Sequence, residues 1–198
     1  IYDRLVGSEM CIRDRADPPE GAFVQVSAGR LHTCALDAAG AVTCWGIADG
    51  SDLDFGQVTL TPTAGAFVEL SAGMQNTCAR QSDDALLCWR DKYEPPAGAY
   101  ASVAVGDYVG CAVDAAGGVA CWGHPYNGED VPPEGLLFSA VSLGLYHACG
   151  ITDAGSIACW GHDDGGLLDA PEGGFVALDA GSTQTCALGA GGEIACWG

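Results

Sequence analysis

Ten cysteines carry the clearest chemistry in the chain, because they form five pairs of equal spacing. The pairs are Cys34 with Cys44, Cys78 with Cys88, Cys111 with Cys121, Cys149 with Cys159, and Cys186 with Cys196. Two thiols so placed can join in a disulfide, stay reduced in a core, or ligate a metal. Zinc usually needs two closely spaced cysteine pairs, and none is present. The favoured reading is five local disulfides, which implies an oxidising compartment, extracellular or periplasmic. Buried free thiols stay open as the alternative, since Cys packs well as a small apolar residue.

Other reactive side chains are scattered. His32 and His147 share one slot just before a first cysteine and read as structural. His124 and His162 follow a Trp-Gly pair. No nucleophile accompanies them, so catalysis is not expected. Asp49, Asp52, Asp54, Glu129, Asp130, Asp163 and Asp164 could offer oxygens to calcium. They match no calcium-loop signature, and the simpler expectation is solvated turn carboxylates. No cofactor or metal is expected.

The elements that position these residues are repeats. Each unit opens on an aromatic residue: Phe23, Phe67, Tyr100, Phe138 or Phe175. A glycine follows at a fixed distance (Gly29, Gly73, Gly106, Gly144, Gly181), then the two cysteines, then at once Trp45, Trp89, Trp122, Trp160 or Trp197. The cores are residues 23–45, 67–89, 100–122, 138–160 and 175–197, all of one length. Length varies only between a Trp and the next aromatic, most from Trp45 to Phe67 and least from Trp89 to Tyr100. A constant core with variable connections is the mark of stacked supersecondary units.

Inside each core the hydrophobic period is two. In the first unit, strands are expected over Phe23 to Ser27, Thr33 to Leu36 and Val42 to Trp45. Asp37-Ala38-Ala39-Gly40 joins the last two, and Gly40, Asp84, Gly117, Gly155 and Gly192 share the last turn position. A left-handed residue there makes a three-residue hairpin loop. Such a loop pairs Leu36 with Val42 and sets Cys34 opposite Cys44, at a non-hydrogen-bonded position where Cα atoms approach closest. The recurring tryptophans are expected to pack between units.

The first residues stand apart. Arg4 to Arg15 resembles a transposon-type sequencing adapter translated in frame, so residues 1–15, with the odd Cys11, are expected to be non-native. Net charge is −19. Beyond residue 15 the basic residues are Arg30, Arg80, Arg90 and Lys92. Such a surface repels phosphate backbones and anionic membranes, so nucleic-acid binding and membrane insertion are not expected.

The string from His32 to Gly46, with its echoes Gly181 to Leu188 and Ile194 to Gly198, resembles the repeat of the regulator of chromosome condensation family. The link from Trp160 to Pro171 is similar to the type II β-lactamase inhibitor proteins of the same superfamily. The resemblance implies an all-β fold, a bacterial source, and five units of a seven-bladed β-propeller, the chain being a fragment. The family's founder exchanges nucleotide on a small GTPase and binds chromatin. The acidic character here argues against carrying either activity over. The second unit departs most: Arg80 stands where the others have Leu36, Val113, Ile151 and Leu188, and Arg90 follows its Trp. That unit is expected at an edge or beside an unusual neighbour.

Function is therefore expected in the variable connections, which in propellers cluster at the two faces. The reading is a non-enzymatic exported scaffold that binds a protein partner. Phe55, Tyr93 and Tyr126 are the expected contacts, and Tyr146 is a further plausible exposed aromatic. Carbohydrate binding by the same loops is the alternative. A non-catalytic repeat region of a larger protein, with any catalytic residues elsewhere, is another.

Overall fold

The computed structural model describes residues 18–89 and 94–198. Residues 1–15, Arg90 and Tyr93 lie outside the described residues. Five three-stranded antiparallel sheets follow one another along the chain, each with its strands in sequence order. The first contains β1 (Phe23–Ala28), β2 (His32–Asp37) and β3 (Val42–Gly46), and the second β4 (Phe67–Ala72), β5 (Thr77–Gln81) and β6 (Leu86–Trp89). The third contains β7 (Tyr100–Val105), β8 (Val109–Asp114) and β9 (Val119–Gly123). The fourth contains β10 (Phe138–Leu143), β11 (His147–Thr152) and β12 (Ile157–Gly161), and the fifth β13 (Phe175–Ala180), β14 (Thr185–Gly189) and β15 (Ile194–Trp197). These are blades of a β-propeller, and no helix among the described residues is long and apolar enough to cross a membrane.

The hairpin turn sets the register. The Asp37 carboxylate accepts the Ala39 and Ala41 N–H groups at 2.8 and 2.9 Å, and Gly40 closes the turn at φ 84°. Its counterparts are also left-handed, including Asp84 at φ 66°. Leu36 then faces Val42 and Cys34 faces Cys44, as expected. All five cysteine pairs are disulfides inside one blade, with Cα atoms 4.0–4.1 Å apart. Each links a blade's middle strand to its outer strand.

Adjacent blades are joined along their inner strands. The carbonyl of the left-handed turn residue accepts the N–H of the next blade's opening aromatic: Gly40 from Phe67 at 3.0 Å, and likewise Asp84 from Tyr100, Gly117 from Phe138 and Gly155 from Phe175. Higher up, the Gln25 amide clasps both the N–H and the carbonyl of Leu70 at 2.9 Å. Ser27, Ser71 and Ser142 accept the N–H of Ala72, Val105 and Ala180. At the strand ends the blades nearly touch. A Cβ on Gly73 would stand 2.1 Å from the Gly106 carbonyl oxygen, so only glycine fits there.

Between blades lie small apolar cores. Cys34, Leu36, Phe67, Leu70, Ala79 and Trp89 fill the first interface, and equivalent sets fill the next three. Val26 is 64% exposed, whereas Leu70 at the same slot of the next blade is 2% exposed because a blade covers it. Arg80 is not at an edge: its blade has neighbours on both sides. It pairs with Glu69 at 3.1 Å and Asp84 at 2.7 Å, and Glu69 accepts the Val103 N–H across the interface. An ion pair thus replaces the apolar contact used elsewhere.

Two interfaces also hold a buried imidazole. His32 Nε2 contacts Thr77 Oγ1 at 2.7 Å, and His147 Nε2 contacts Thr185 Oγ1 at 2.8 Å. Burial lowers the His32 pKa to about 4 and lowers that of His147 as well. Both rings stay neutral near pH 7.

Candidate functional site

The inner strands converge on an axial cavity of about 900 Å³. Its rim is written by the residue after each constant glycine: Arg30, Met74, Asp107, Leu145 and Ser182. These five differ in charge, size and polarity within one framework slot. The residue after that differs too, and in the third and fourth blades it is Tyr108 and Tyr146, both on the cavity wall.

The backbone sets a second aromatic layer beside them. The Tyr108 carbonyl accepts the His124 N–H at 2.9 Å, and the Tyr146 carbonyl accepts that of His162 at 2.8 Å. The residue after each Trp-Gly pair is therefore fixed next to the inner-strand loop. Five rings gather as a result. Tyr108 and Tyr146 lie 6.4 Å apart between centroids, 17° from parallel. Tyr126 stands edge-on to both, at 4.9 and 6.2 Å. His124 meets Tyr126 at 5.0 Å, and His162 meets Tyr146 at 6.4 Å.

Tyr126 is 58% exposed, yet its loop is held from below. Glu129 is buried, and its carboxylate accepts the N–H of Tyr126 at 3.0 Å and of Asn127 at 2.8 Å. Its backbone carbonyl accepts the Trp160 indole N–H at 2.9 Å. Gln57 does the same in the first connection, accepting from the Phe55 N–H through its side chain and from Trp89 through its backbone. Leu167 accepts the Trp197 indole. Connections of different length thus return to one anchor, the blade tryptophan. The tryptophans of the middle blades are buried in packing, as expected.

Electrostatically the cavity is mixed, with Arg30 standing among the acids Asp107 and Asp179. Desolvation raises the Asp107 carboxyl above the usual carboxylate range, while Arg30 pulls it down. Desolvation also raises the Tyr108 phenol, and the neighbouring Tyr146, Tyr126 and Asp107 add to that shift. The arrangement can stack, donate phenolic hydrogen bonds and hold a cation near aromatic faces.

The structure brings Tyr126 into this cluster and leaves Phe55 half-buried in the first connection; Tyr93 lies outside the described residues. Tyr108 was not expected. Its signal was the variability just after the constant glycine, inside the core and not in the connections. Glu129 corrects one expectation: it is a buried loop staple, not a solvated turn acid. Asp49 and Asp54 accept local backbone N–H groups. Among the described residues, no group of three or more His, Cys, Asp or Glu is placed to hold a metal ion.

A sequence model of the Regulator of chromosome condensation (RCC1) repeat matches residues 23–53, the first blade and the start of its connection. No curated protein sequence matches the chain. Among solved structures, the CRINKLY WD40 ectodomain of the Arabidopsis thaliana receptor kinase ACR4 is 31% identical, with a TM-score of 0.72 over 89% of this chain and 63% of that one. The entire ectodomain of the Physcomitrella patens receptor kinase CR4 is 25% identical, with a TM-score of 0.71 over 88% of this chain and 53% of that one. Prp20p of Saccharomyces cerevisiae, 16% identical, shares the fold with a TM-score of 0.75 over 89% of this chain and 58% of its own. The chain therefore spans between half and two thirds of these proteins. With four more blades in the register of the matched one, it is an array of RCC1-like propeller repeats.

Proposed function

We propose that the chain is an exported propeller platform that binds a protein partner through the face carrying Tyr108, Tyr126 and Tyr146. One observation carries this: variable side chains converge as a half-exposed aromatic cluster on an otherwise constant frame. Tyrosine-rich patches at a concave rim are the usual anchors of protein interfaces. Five disulfides and the likeness to two receptor ectodomains are consistent with an extracellular location. Phe55 and Tyr93 would add contacts from other connections. The charge of −19 disfavours nucleic acid as the ligand.

The test is affinity capture from the exported proteins of its host, using the disulfide-bonded chain. A variant with Tyr108, Tyr126 and Tyr146 all changed to Ala is run beside a variant of the opposite face, Ala38→Glu. A partner retained by the latter and weakened at least about tenfold by the former is expected. A glycan array bound in the same tyrosine-dependent way would replace the protein partner with a sugar. Equal capture by all three proteins would overturn the reading.

A further inference from the structure

We propose, resting on the protein-binding reading above, that the partner presents a basic segment and seats one Arg or Lys side chain against the rings of Tyr108 and Tyr146, beside Tyr126, with Asp107 as counter-ion. The ring centroids are 4.9, 6.2 and 6.4 Å apart. A cation is drawn to an aromatic face within about 6 Å of its centroid. The Tyr108 and Tyr146 faces are only 17° from parallel and can share one cation, and Tyr126, edge-on to both, bounds the patch.

Asp107 supplies the second argument. It precedes Tyr108 in the chain and lines the same cavity, half-buried. Loss of solvent disfavours its charge, and the opposing charge it feels is Arg30, an exposed residue of the first blade whose guanidinium contacts the Met74 sulfur at 3.8 Å. An arriving guanidinium or ammonium would return to Asp107 the stabilisation that burial removes. A neutral sugar would not.

The third argument is the long-range field. Among the described residues the Lys and Arg side chains are Arg30 and Arg80, and Arg80 is committed to Glu69 and Asp84. An acidic surface of this kind steers basic partners toward it and repels acidic ones.

The test is fluorescence anisotropy on the full chain with a fluorescein-labelled peptide of alternating arginine and serine. A matched peptide with citrulline for arginine keeps the shape and removes the charge. At physiological salt the arginine peptide is expected to bind, and the citrulline peptide at least about tenfold more weakly. Tyr108→Ala and Asp107→Asn should each weaken binding about tenfold. Tyr108→Phe keeps the ring face and should bind as wild type, which separates ring loss from misfolding. Glu172→Gln, in a distant exposed turn, should change nothing. Equal binding of the two peptides overturns the proposal, as does equal weakening by Asp107→Asn and Glu172→Gln. A captured partner that depends on the tyrosines but not on Asp107 keeps the platform and removes the basic segment.

Discussion

His32 Nε2 and Thr77 Oγ1 lie 2.7 Å apart across the first blade interface, and His147 and Thr185 repeat the pair across the fourth. Between the third and fourth blades the same two slots hold Val109 and Ala148, both buried. A histidine therefore occurs where the next blade supplies a hydroxyl. A blade with Gly110 or Ala148 in that slot, set after one that carries His32 or His147, would bury an imidazole with no hydroxyl to meet it.

Acid should loosen those interfaces. The unfolded imidazole titrates near 6.5, and folded His32 near 4. Protons thus bind the unfolded chain first. The stabilisation from neutral His32 is complete above about pH 6.5 and is lost as pH falls toward 4, by on the order of 2–3 kcal/mol. His147 acts in the same direction. Urea unfolding from pH 7.5 to 4 checks this against the double variant His32→Val with Thr77→Ala, which copies the Val109–Ala148 pair. The variant should show a flatter profile.

Gly73→Ala should destabilise by roughly 1–3 kcal/mol through overpacking, because its Cβ would meet the Gly106 carbonyl at 2.1 Å. Gly181→Ala, at the same slot of the last blade, meets nothing nearer than 3.6 Å and should be nearly neutral. Denaturant midpoints of the two variants decide the matter.

Arg80→Leu alone restores the apolar slot of the other blades but strands Glu69 without its cation. A loss of about 1–3 kcal/mol is expected. Adding Glu69→Gln, which copies Gln25, should recover stability to within about 1 kcal/mol of wild type. A double-mutant cycle by thermal unfolding measures the coupling.

Glu129→Ala should free the loop that presents Tyr126, costing about 1–3 kcal/mol by orphaning two N–H groups. Glu129→Gln keeps one acceptor oxygen, as Gln57 does for the Phe55 N–H, but sets its amide donor against the second N–H. It should cost less than the Ala variant without matching wild type. Amide hydrogen exchange should rise at both Tyr126 and Asn127 in the first variant and at one of the two in the second.

The frame was legible because it repeats. A fixed offset from Cys34 to Gly40 sets the turn, the turn sets the register, and the register brings Cys34 onto Cys44. The binding face was legible only in part. Tyr126 was visible as an aromatic in a connection. Tyr108 was not, because it sits inside the constant core, where a varying residue looks like noise until neighbouring blades are laid side by side. Glu129 misled because a carboxylate beside glycine and asparagine has the composition of a wet turn. Its burial follows from tertiary contacts: the Trp160 indole on its carbonyl, and two N–H groups that leave its oxygens no need of water.

Each of the five disulfides among the described residues joins two strands of the same blade, so no cross-link besides the main chain itself ties one of these blades to the next. Under tension applied to the chain ends, the propeller should shed its blades singly, like beads drawn off a string. Each would leave as a locked hairpin that cannot extend past its own clasp. The connections, not the sheets, would supply most of the slack.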